Sequence, residues 1–84
     1  MAVRNGASGL YQEDYGVNNV VDSNPLYVGK VTPTGKWLVM RYNLTTGDLT
    51  YANLSNNAGV TTYLAAWATY AALTYDRFEV LTGV

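Results

Sequence analysis

Apolar residues are scattered without a period through residues 1–25, gather into runs rich in Val, Thr, Tyr and Trp from Leu26 to Leu54, and recur at helical spacing from Val60 to Ala72. The first stretch carries Gly6, Gly9, Gly16, several Asn residues and Pro25, and reads as an N-terminal arm or docking segment rather than a packed element. Leu10, Tyr11 and Tyr15, followed by Val17, Val20 and Val21, give it enough apolar surface to dock on its own core or on a neighbour. Residues 26–84 form the second unit, a small β-rich domain. Its opening is dominated by Val, Thr, Tyr and Trp, which suit a pleated, half-buried surface.

Two turns organise the strands. Thr32-Pro33-Thr34-Gly35 offers Pro where a turn wants a fixed φ and Gly where the chain must turn left-handed, so Leu26–Val31 and Lys36–Asn43 are predicted to form a hairpin closed at Thr32 and Lys36. A second turn at Thr45-Thr46-Gly47-Asp48 is expected to pair Leu44 with Leu49 and Tyr42 with Tyr51. A slip of one residue would move every side chain to the other face. Both turns place Leu26, Val28, Leu38, Met40, Tyr42, Leu44, Leu49 and Tyr51 on one side, the predicted core side.

The other side of these strands carries Tyr27, Val31, Trp37 and Val39, which is not the polar face of a sheet bathed in water. The arm, the later helix or a second copy of the chain could cover it. The spacing of Val60, Tyr63, Leu64, Trp67 and Ala71, in an Ala-rich context, predicts a helix over 60–72 with Trp67 on its apolar stripe. Phe78 and Val80 alternate with Arg77 and Glu79, predicting a closing strand near Thr74–Leu81. The expected fold is mainly β, an antiparallel meander with one short helix and a closing strand, at the border of α+β.

Composition narrows the chemistry. The 84 residues contain neither His nor Cys, so the usual general acids and bases, thiol nucleophiles, disulfides and imidazole or thiolate metal ligands are missing. The carboxylate pairs Glu13-Asp14 and Asp76 with Glu79 lack the setting of a substrate cleft, so no enzyme, metal or cofactor is expected. A net charge of -1 gives no overall field for nucleic acid, and Lys30, Lys36 and Arg41 read as a solvated edge. The opening residues Met1 to Ala7 lack the apolar core of a secretory signal, and the stretch from Leu64 to Leu73 is too short to span a bilayer. No membrane partner is expected, and Asn43-Leu44-Thr45 and Asn53-Leu54-Ser55 are set aside as glycosylation sites. A chain this small buries only roughly 60% of the surface it exposes when unfolded. Without disulfides or a metal, association with further copies is the expected support.

Tyr27-Val28-Gly29-Lys30, then Trp37 leading to Arg41 and Gly47, then Ala58, Gly59, Tyr63, Trp67 and Leu73-Thr74-Tyr75, resemble a recurrent group of small bacteriophage proteins. Two departures are the missing Asp between Ala58 and Gly59, and Tyr70 where the group often has Arg. The resemblance implies a virion structural protein, a small tail-fibre or tail accessory subunit made in the host bacterial cytoplasm, with a head decoration protein as the nearest variant. It also implies partners among virion proteins and other copies of the chain, with a trimer as the expected oligomer. The interface candidates are Tyr27, Val31, Trp37, Val39, Leu10, Tyr11 and Tyr15. The alternative from another class is a small aromatic binding module, for carbohydrate or a protein ligand, using Tyr27 and Trp37 as its platform.

Overall fold

A computed structural model describes residues 15–84. Its centre is a four-stranded antiparallel sheet in sequence order, β1 (Gly16–Val21), β2 (Leu26–Val31), β3 (Trp37–Tyr42) and β4 (Leu49–Ala52). One short helix, α1 (Tyr63–Ala68), and three 3-10 turns complete it. The fold is mostly strand with a little helix, as expected from the sequence.

The first hairpin closes where its turn chemistry places it. Val31 faces Trp37 and Leu26 faces Tyr42, while the Thr32 amide donates to the Lys36 carbonyl over 2.8 Å and Gly35 takes φ 94°. The second turn falls one residue earlier than expected on its N-terminal side and one earlier on the other. Asn43 closes on Asp48 and Tyr42 faces Leu49, because the Asn43 Oδ1 accepts from the amides of Thr45 and Thr46 and winds the chain at once. Met40, not Tyr42, therefore stands opposite Tyr51. Both ends move together, so Leu38, Met40 and Tyr42 keep Leu49 and Tyr51 on their own face.

Residues 16–21 are part of the sheet, so the β-rich unit begins before residue 26. Gly16 faces Val31 and Val21 faces Tyr27, with the register slipping between Val17 and Asn19. That slip is a β-bulge at Asn18, which hides the strand from a search for strict alternation. The rest of the proposed arm, residues 1–14 with Leu10 and Tyr11, lies outside the described residues.

The core is on the face opposite to the one expected. Tyr27, Trp37, Val39, Ala52 and Ala66 form the buried cluster, with Val21, Val60, Tyr63, Trp67, Tyr70, Leu73 and Tyr75 packed around it. Register explains why α1 sits there. One row across the sheet reads Asn19, Gly29, Val39, Ala52, four small or narrow side chains that leave a trough for a helix. A Cβ on Gly29 would collide with the Tyr63 hydroxyl and would lie 2.7 Å from Cε3 of Trp67, so the two rings fill the space that glycine vacates.

α1 is shorter than the expected helix over 60–72. The Thr62 hydroxyl accepts the Ala65 amide as an N-cap, and Val60 is held back in a turn by Asn57. At the other end Thr69 leaves helical geometry, its hydroxyl bonding back to the Ala65 carbonyl, and Tyr70–Ala72 continue as a 3-10 turn. The inward stripe is Tyr63, Ala66, Trp67 and Tyr70; Leu64, expected inside, is 81% exposed.

The closing strand over Thr74–Leu81 does not form. Tyr51 and Asp76 exchange both backbone bonds as a single bridge, and Phe78–Val80 is a 3-10 turn. A ladder needs a partner along its length, and β4 ends at Ala52. Beyond it the Asn57 side chain stands in for a strand, accepting from the Thr74 amide and donating to the Thr74 carbonyl. The buried Asn53 caps the turn Leu54–Asn56 and donates to the Thr82 carbonyl over 2.8 Å, so its side chain is committed to structure.

Candidate interaction surface

The sheet has one side under α1 and one side turned away from it. On the helix side, Trp37 is 3% exposed and donates its indole N–H to the Val60 carbonyl over 3.0 Å. Tyr27 lies under Tyr70 at 4.7 Å between ring centroids and beside Tyr75 at 6.0 Å, and Val39 is fully buried. Val31 is half-buried in the row Gly16, Val31, Trp37. Tyr27, Trp37 and Val39 are therefore buried in the core of a single chain. Their burial also removes the ring faces on which a saccharide would stack. Tyr15 is half-buried immediately before β1, with its hydroxyl enclosed.

Arg41 extends the helix side toward solvent. Its Nε donates to the Thr50 hydroxyl, and its guanidinium lies 4.5 Å from the Tyr75 ring centroid, a cation–π contact. With Arg77 and Asp48 it lines an open concavity of about 520 Å³ between the second turn and the C-terminal segment. Burial, ahead of the neighbouring charges, pushes the Tyr75 hydroxyl well above the usual phenol range. That hydroxyl donates to the Tyr70 carbonyl over 2.6 Å.

The far side holds the features expected of a contact surface. Val20, Val28, Met40 and Tyr51 stand in one row across all four strands, and Phe78 meets Tyr51 edge-on at 4.9 Å. Leu26, Tyr42 and Leu49 make the next row. Val28 and Leu38 are buried within this side, whereas Met40, Tyr42 and Tyr51 are half-exposed. Val17, Val20 and Leu49 are 63%, 54% and 41% exposed. Among the described residues β1 pairs on one edge only, whereas the outer edge of β4 is engaged at Tyr51 by Asp76.

The sequence argument missed this placement because both sides of the meander are apolar. Gly29 and Ala52, flanking Val39, were the available signal for which side carries the helix. Among the described residues no cluster of carboxylates is arranged to hold a metal ion, and no helix is long and apolar enough to cross a membrane. No family model matches the chain. No curated protein matches it, and no solved structure does.

Proposed function

We propose that the chain is a structural subunit that works by assembly contacts, a small tail-fibre or tail accessory component of a bacteriophage virion. The observation that carries the assembly reading is the apolar row Val20, Val28, Met40, Tyr51, which runs out to β1, a strand that pairs on one edge only among the described residues. Apolar surface set beside unpaired backbone groups favours association, at roughly 25 cal/mol per Å² buried before the costs of association. The contact surface is therefore the side turned away from α1, in place of the side formed by Tyr27, Trp37 and Val39.

The virion assignment is supported by the resemblance of residues 27–75 to small phage proteins. Several residues that carry it, Gly29, Tyr63, Trp67 and Tyr75, meet at the contact between sheet and helix, so the pattern describes how the subunit is built. Its role in a particle is tested by purifying particles released from the host that carries the gene and measuring their protein content by mass spectrometry. Recovery of the chain at a fixed ratio to other particle proteins is expected. Its absence from intact particles, when it is made in the same cells, would overturn the assignment.

A further inference from the structure

The bulge in β1 makes the strand self-complementary. In an unbroken strand, residues three apart point to opposite faces. Here Val17 faces Lys30 and Val20 faces Val28, and Lys30 and Val28 share the far side of β2, so the extra residue at Asn18 brings Val17 and Val20 to one face. On the other face Asn19 points toward α1. Its Oδ1 accepts the Tyr63 hydroxyl over 2.7 Å and ties the strand to α1.

We propose that the outer edge of β1 pairs with the same edge of a second copy, antiparallel and about a two-fold axis normal to the sheet, with Val17 opposite the second copy's Val20. This rests on the assembly reading above and specifies its partner. An axis in that direction keeps each face on its own side, so facing residues must come from the same face. The pairing of Val17 with Val20 meets that condition only because of the bulge. The same register sets Gly16 opposite Val21, two residues of the helix side.

Charge and area agree with a second copy as occupant. Gly16–Val21 contains no ionisable side chain, so two copies approach without like-charge repulsion, and the strand has no Pro or Lys to block pairing. The two exposed valines of one copy meet those of the other and cover both pairs. Six residues of strand contact fall below the roughly 1,200 Å² of a stable complex, so the pair is weak in dilute solution and is held by the local concentration of an assembly. An isologous edge closes at two, which predicts even-numbered assemblies instead of the trimer implied by the resemblance.

The chain has no cysteine, so engineered thiols report on the register directly. Val17→Cys and Val20→Cys proteins are mixed at high concentration under mild oxidation, beside each variant alone and beside a mixture of Val17→Cys with Asn19→Cys as an off-register control. A covalent dimer at twice the 9.2 kDa chain mass is expected in the mixture of Val17→Cys with Val20→Cys and reduced to the collisional background in the others. Equal yields in all samples, or a higher yield for one variant alone, would overturn the register. A selective dimer that appears only after residues 1–14 are deleted would also overturn it for the full chain, by showing that this segment occupies the edge. Sedimentation of the unmodified chain separates the two claims. Association without selective linking rejects the register and leaves the assembly reading standing; no association and no linking reject both.

Discussion

Replacing Gly29 with Ala tests the packing of helix on sheet at its tightest point. The added carbon would meet the Tyr63 hydroxyl and would stand 2.7 and 2.9 Å from two ring carbons of Trp67. Neither neighbour is free to withdraw. The Tyr63 hydroxyl is bonded to Asn19, and the Trp67 ring lies between Tyr63 and Tyr70 at centroid distances of 6.2 and 4.9 Å. Forcing a methyl into such a site costs about 1–3 kcal/mol, offset by about 0.4–1 kcal/mol from the reduced freedom of the unfolded chain. A net loss of about 1–2 kcal/mol lowers the melting temperature of a domain of this size by about 4–16 °C. Gly59→Ala is the control, because nothing lies within 4 Å of its added carbon. Thermal unfolding followed by circular dichroism, with tryptophan emission as a local probe, reads both variants. A Gly29→Ala protein that melts with the wild type and keeps its emission spectrum would refute the close fit of Trp67 over Gly29.

Trp67→Ala, which removes the ring that fills the same trough, is expected to cost about 3–5 kcal/mol, read by urea unfolding, a large fraction of the total for a small domain. Asn53→Ala removes the acceptor for the Ser55 amide and the donor to Thr82. It should cost about 2–3 kcal/mol and raise hydrogen exchange selectively around residues 81–84. Burial raises the Tyr75 hydroxyl above its ordinary value of 10.0, so the folded state holds that proton more tightly than the unfolded chain. Stability is intact below about pH 10 and declines as pH rises beyond it. Tyr75→Phe loses the bond to the Tyr70 carbonyl, costing about 1 kcal/mol at neutral pH, and flattens the alkaline decline in denaturant midpoint measured against pH.

What could be read from the sequence was local. Thr32 and Gly35 set the first hairpin, and the parity of the second turn survived a shift in its closing pair because Tyr42, Met40, Leu49 and Tyr51 moved in step. The choice of face was not local. Both sides of the meander are apolar, and the decision falls to the volumes of Gly29, Val39 and Ala52 across three strands, which appears only once register is known. β1 escaped because its bulge sets Val17 and Val20 three apart, against the two-residue period by which strands are recognised. The alternation at Phe78 and Val80 misled in the opposite sense. Both side chains are exposed, and the backbone there has no ladder to join. With Tyr27, Trp37 and Val39 buried under α1, the contact surface we propose lies on the other side of the same strands.

The claim that the protein works through contacts on that side is tested most directly by sedimentation equilibrium of the full chain from micromolar to millimolar concentration, beside Val20→Lys. Val20 is 54% exposed and apart from the core cluster, so the variant should keep the wild-type melting curve. The wild type is expected to gain mass with concentration while Val20→Lys remains a monomer. A wild-type chain that stays monomeric throughout, or a Val20→Lys protein that associates as strongly as the wild type, would contradict the account.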